Sequence, residues 1–175
     1  MFVPIGAPAA EEKRDLKEPN DHAIGRSRGG FSTKIHVSCD GQGAPLNIEL
    51  SPGQTHETKL FLELWDTTEV SDKTLKYLVQ PEAVAGDKAY RCNWIAEKLK
   101  SEQVQAVIPE IGKKANDQHH PEFDRELYRR RNVVERLIGW LKESRRVFAR
   151  FEKTAVNFLA MIHVACIRYY LAALV

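Results

Sequence analysis

The stretch from residue 81 to residue 109 constrains the fold more than any other part of the chain. Pro81 precedes AVAGD, a short run of small and apolar residues that stops at Gly86 and Asp87. NWIAEKLKSEQ follows, with Ile95, Ala96 and Leu99 at helical spacing, and VQAVIP (104–109) closes the unit as another strand-like run. Two strands joined through a crossover helix are expected to lie parallel, which places the chain among α/β folds.

The flanking segments extend this reading. KIHVSCD (34–40) and APLNIELS (44–51) are separated by the turn-rich GQG, the pattern of a β-hairpin. After SPGQTHE (51–57) the pattern turns helical through KLFLELWDTT, where Leu60, Leu62, Leu64 and Trp65 are apolar and Thr55 and Thr58 are capping candidates. The polar loop EIGKKANDQHH leads to Pro121, well placed to open a long helix. The last segment, AVNFLAMIHVACIRYYLAALV, approaches membrane-spanning length, but Asn157, His163 and Arg168 interrupt it, so a helix buried against a sheet is expected. Residues 1–30 carry Pro, Gly, Ala and charge without periodicity and read as a flexible N-terminal arm. Residues 31–175 read as one domain, a mixed sheet with helices on both faces.

Composition narrows the class only coarsely. With 43% hydrophobic and 29% charged residues among 175, the chain is neither collagen-like, mucin-like nor wholly disordered. Cys39, Cys92 and Cys166 are far apart and odd in number, which fits reduced thiols in a cytoplasmic protein. Net charge is only +2, but Arg125 to Lys153 holds ten Lys or Arg against four Glu. A basic segment in a balanced chain suggests a polyanionic partner; the alternative is a solvated helix face with internal ion pairs.

On a helical wheel started at Tyr128, the side chains of Tyr128, Arg131, Glu135 and Lys142 fall within a sector of about 60°. Val134, Leu137, Ile138 and Leu141 cluster on the stripe that must face the core. Glu135 therefore sits at the margin of the buried stripe, where a carboxylate can be held and still reach a cleft. Taken alone it would pair with Arg131, four residues earlier. Asp87, at the end of a strand and the start of the turn DKAY, lies where α/β sheets gather ligands, although a turn or N-cap role is equally open. Trp140 lies off the core stripe and is assigned to packing rather than to stacking on a base. His36, His56 and His163 stand singly and read as structural.

The array Tyr-x2-Arg-x3-Glu-x6-Lys in YRRRNVVERLIGWLK, with the flanking RRVFARFEK, resembles the signature of DDE-type insertion-sequence transposases (the IS4/IS5-like group). The likeness extends from Gly25 to the C-terminus, and it implies a ribonuclease-H-like α/β fold. By that resemblance Glu135 is the third metal-binding carboxylate and Asp87 the second, although Ala89 stands where the family's turn usually has Gly. Tyr128, Arg131 and Lys142 would then meet DNA, with Arg26, Arg28 and Lys34 as further phosphate contacts. The implied cofactor is Mg²⁺ (or Mn²⁺), since two such ions about 4 Å apart can activate the nucleophile and stabilise the leaving oxygen of a phosphodiester.

The resemblance also implies a first catalytic aspartate on a central first strand, and no residue of this chain suits it. Asp15 and Asp21 have no apolar run before them, and Asp40 belongs to the hairpin turn. The expectation is a partial catalytic domain that lacks this strand, leaves strand edges open, and does not cleave or join DNA as an isolated chain. Its partners would be double-stranded DNA, an upstream reading frame supplying the first aspartate, and a second copy in a homodimer; no membrane is expected. The competing readings are a catalytically inactive DNA-binding remnant or subunit, and a non-catalytic interaction domain.

Overall fold

A computed structural model describes residues 2–8, 22–66, 70–71, 78–79, 81–109 and 123–172. In chain order the strands are β1 (Phe2–Pro8), β2 (Gly25–Ser27), β3 (Gly30–Cys39), β4 (Pro45–Pro52), β5 (Val70–Ser71), β6 (Leu78–Val79), β7 (Ala83–Ala85) and β8 (Gln105–Val107). The α-helices are α1 (Phe61–Asp66), α2 (Asn93–Ser101), α3 (Arg125–Arg130), α4 (Asn132–Glu143), α5 (Arg145–Phe148) and α6 (Ala155–Ala172). Short 3₁₀ turns at Glu57–Leu60 and Lys88–Tyr90 precede α1 and α2.

The central strand is β3. β1 runs antiparallel along one edge from Ser32 to Ser38, while β4 pairs the other edge and β2 continues it from Gly30 to Ser32. The hairpin expected over 34–51 forms at that place. Asp40 makes its turn by accepting the backbone N–H groups of Gln42, Gly43 and Ala44 at 2.8, 2.8 and 2.9 Å. Gly43 has φ +98°, a left-handed conformation that glycine adopts without a steric cost, so a side chain there would strain the turn even though an added Cβ would make only ordinary contact with Val133 of α4.

Period-two alternation gives β3 two different faces. Ile35, Val37 and Cys39, with Ile48 of β4, form one core with Val133, Val134, Leu137 and Leu141 of α4, Val147 of α5, and Phe158, Ile162, Ala165 and Cys166 of α6. Lys34, His36 and Ser38 point to the opposite face, where Ser51 lies across from Lys34. A second core joins Phe61, Leu64 and Trp65 of α1 to Val84, Tyr90, Ile95, Leu99, Val104 and Ile108.

The strand–helix–strand unit forms as β7–α2–β8, with Ala83, Val84 and Ala85 in parallel register with Gln105, Ala106 and Val107. The molecule is thus a mixed α/β structure. Among the described residues, however, β7 and β8 form a sheet of their own, and the four-stranded sheet is wholly antiparallel, so the single mixed sheet is not formed. The three-residue parallel strands are too short to extend far beyond each other.

Two further expectations change. Residues 2–8 and 25–27, read as arm, are strands: unpatterned residues can join a ladder because β3 supplies the hydrogen-bond partners. β1 also covers one edge of β3, in a sheet where the lack of a first strand was expected to leave strand edges open. The expected long helix is divided at Arg131, where Arg131 N–H bonds to Tyr128 and Val134 N–H to Arg131, each three residues back. The first segment starts at Arg125 with Asp124 as its N-cap, and Pro121 lies outside the described residues. α6 buries one face in the first core as expected, yet Val156, Val164, Ile167 and Leu171 on its other face are exposed. By length and composition α6 could also cross a membrane.

Candidate functional site

Local chemistry places each candidate residue. Burial of Val134, Leu137 and Leu141 fixes the rotation of α4, with Val133 added to the expected stripe. Glu135 is consequently turned outward, its side chain 50% exposed, and it accepts a hydrogen bond from Arg131 Nη2 at 2.5 Å. The Arg131 guanidinium also lies 5.5 Å from the ring centroid of Tyr128. Tyr128, Arg131 and Glu135 therefore form a contiguous row across the α3–α4 junction, although the tightened turn at Arg131 interrupts the regular helix. Lys142 is half-buried near the far end of α4. The ordinary i,i+4 ion pair is present, so Arg131 and Glu135 hold each other in this state.

Asp87 follows β7 and caps the 3₁₀ turn, with Oδ1 accepting Lys88 N–H at 2.5 Å. Tyr90, in that turn, is fully buried. Burial raises its phenol well above the ordinary value, and the carboxylates of Glu57 and Asp87 raise it further. Glu57 is thus felt at the same phenol as Asp87, a relation that sequence spacing does not reveal. A carboxylate three residues ahead of an apolar helix is an ordinary first-turn residue by pattern.

Glu57 in turn holds Lys34, whose Nζ donates to Glu57 Oε1 and to the Thr55 carbonyl, both at 2.7 Å. Lys34 is engaged on the polar face of β3, whereas Arg26 and Arg28 are exposed at the β2–β3 turn. Beside Lys34, His36 is fully buried with Nε2 2.7 Å from Ser51 Oγ, and Nδ1 has no partner among the described residues. His56 caps the first 3₁₀ turn in place of the expected threonines. Trp140 packs edge-on against Tyr169 at 5.1 Å and receives Arg168 over its ring, which agrees with the packing role.

Burial, with Lys34 nearby and Glu57 opposing, lowers His36 to about 4 from 6.5. The neutral imidazole is the folded form, so the unfolded chain binds the proton more readily. Stability linked to this group is present above pH 6.5 and lost as pH falls toward 4. A proton-detected titration should find the His36 ring uncharged at about pH 5.5. A His36 midpoint near 6.5 would contradict this assignment.

Carboxylate oxygens are the right donors for a hard divalent cation. Among the described residues, though, no three His, Cys, Asp or Glu side chains converge as a metal-binding group.

With this geometry in place, comparison with known proteins defines the class. The family model for the transposase DDE domain matches residues 6–170, and the chain belongs to that family. It is also 28% identical over 145 residues, 81% of this chain and 99% of the relative, to a Brucella ovis protein described as a transposase for insertion sequence element IS6501. No solved structure matches. The family generally works on DNA with divalent metal ions.

Proposed function

We propose that this chain is catalytic-domain material of an insertion-sequence transposase that cleaves and joins double-stranded DNA, built on a ribonuclease-H-like plan. In this reading Asp87 and Glu135 are two of its metal-binding carboxylates, with Mg²⁺ (or Mn²⁺) as the ion. The observation that carries the reading is the row Tyr128–Arg131–Glu135, which sets a carboxylate beside an aromatic and a guanidinium on the exposed margin of α4. Tyr128, Arg131 and Lys142 hold the backbone of the substrate, with Arg26 and Arg28 adding contacts from the β2–β3 turn. Arg131 leaves Glu135 for a phosphate when DNA arrives, which frees the carboxylate for its cation. Cytoplasmic residence follows from a chromosomal substrate.

A second reading is favoured by two specific observations: Glu135 is neutralised by Arg131, and Asp87 already serves as a cap. Here the chain binds DNA without cutting it. Both readings require affinity for duplex DNA that falls steeply with salt. Arg131→Ala should weaken binding about three- to tenfold at low salt and reduce the salt slope by about 0.9, the value for one lost phosphate contact. Fluorescence anisotropy against a salt series measures both. Absence of binding at low salt would sink the transposase reading and its non-catalytic variant together.

A further inference from the structure

The segment RRVFARFEK, from Arg145 to Lys153, contains an arrangement that the proposed carboxylate site does not use. Phe148 and Phe151 are 54% and 59% exposed. Large aromatic side chains usually bury themselves, and two exposed rings three residues apart, Phe148 at the end of α5 and Phe151 just beyond it, mark a contact surface when the backbone beneath them is held. It is held here by Arg150, which is buried. Its Nε donates to the Glu152 carbonyl at 2.9 Å and its Nη2 to the Lys153 carbonyl at 3.0 Å. Its Nη1 donates to Thr33 Oγ1 on β3 at 2.5 Å, and its guanidinium lies 5.1 Å from the centroid of Phe158. Val147, buried in the first core, anchors the other side. The loop is thus pinned to sheet and helix while its two phenyl rings face outward.

The surroundings select the partner. The segment has four Lys or Arg against one Glu, and that Glu152 is bound to Arg146 at 2.8 Å. Arg145 lies 5.6 Å from the centroid of the Phe151 ring, so one ring face already carries a cation. A hydrophobic protein partner would meet this charge at a cost, whereas a nucleic acid offers phosphates to the cations and base faces to the rings. In an intact duplex those faces are stacked inside. We infer that Phe148 and Phe151, with Arg145, form a stacking platform for unpaired nucleobases of a single-stranded DNA segment. The inference rests on the reading of the chain as a DNA-binding transposase domain and adds the form of DNA this surface takes.

The test compares one labelled oligonucleotide as a single strand and as a blunt duplex, using the full chain and anisotropy. Phe148→Ala with Phe151→Ala should weaken single-strand binding about tenfold or more, the scale of losing stacked bases, and leave duplex affinity within about twofold. Phe148→Leu with Phe151→Leu keeps apolar bulk without the π-face and should show the same selective loss, while Phe148→Trp should retain binding. Both rings are exposed, so the thermal unfolding midpoint of each variant should match the parent. An equal loss on both DNA forms, or no loss on either, overturns the platform while leaving duplex recognition standing. A dimer of the parent chain that dissociates in the alanine variant, with unchanged single-strand affinity, would assign the surface to a second copy and overturn it too. Failure of the parent to bind either DNA form would remove the transposase reading itself.

Discussion

Asp87→Asn and Glu135→Gln are each expected to reduce excision of a marked element by at least about a thousandfold when the element's complete coding region drives the reaction. The size follows from the chemistry proposed: losing the charge that holds a cation removes nucleophile activation and leaving-group stabilisation together. The two substitutions should differ in DNA affinity. Glu135 binds Arg131 at 2.5 Å, so neutralising it releases a guanidinium, and Glu135→Gln should bind duplex as tightly as the parent or severalfold more tightly. Among the described residues Asp87 accepts only a local backbone N–H, so Asp87→Asn should leave affinity unchanged. Excision near the parental level in either variant would assign that carboxylate to the structure alone. Mg²⁺-dependent strand transfer by the purified chain would show that the expected lack of a first aspartate is wrong.

The largest effect on stability is expected at Arg150. Arg150→Ala would leave Thr33 Oγ1 and the Glu152 carbonyl without this donor, leave the Lys153 carbonyl to His22 Nδ1 at 2.7 Å, and vacate the space beside Phe158. Losing the hydrogen bonds of a buried guanidinium costs about 1.5–3 kcal/mol each, a large fraction of the stability of a single domain when several go together. Arg150→Met should recover part of the loss by refilling the space. Urea unfolding monitored by circular dichroism measures both, and a cost for the alanine variant below about 1 kcal/mol would show that the network is not what holds β3 to the loop before α6.

How far the fold was legible in the sequence depended on the range of the interaction involved. The hairpin, the β7–α2–β8 unit and the buried stripe of α4 were readable because each is set by residues a few positions apart: GQG and Asp40 at the turn, Ile95 and Leu99 on one helix face, Val134, Leu137 and Leu141 on another. β1 was not readable. FVPIGAP has no alternation of its own, and its strand conformation comes from the free edge of β3, more than twenty residues later. The separate pairing of β7 with β8 among the described residues was equally hidden, since pairing between strands is decided by which edges meet in space.

The candidate site divides in the same way. Tyr128, Arg131 and Glu135 share a helical face by spacing, and the structure brings the three side chains together. Lys34 belonged by sequence with Arg26 and Arg28, but its own charge found Glu57 across the fold. His36 and Glu57 carried no local signal, because the buried imidazole and the field at Tyr90 arise only when the 3₁₀ turns and the sheet pack together.

The strand–helix–strand stretch, read from sequence alone, determined the α/β class, because helical and strand periodicities are local and survive without the rest of the molecule, and the Tyr128–Lys142 array carried the resemblance to the transposase family. Tertiary structure alone decided which edge β1 covers, that among the described residues β7 and β8 pair apart from the antiparallel sheet, and that Arg150 pins the backbone around two exposed phenyl rings. Those outcomes depend on desolvation and on partners distant in sequence, which no spacing along the chain encodes.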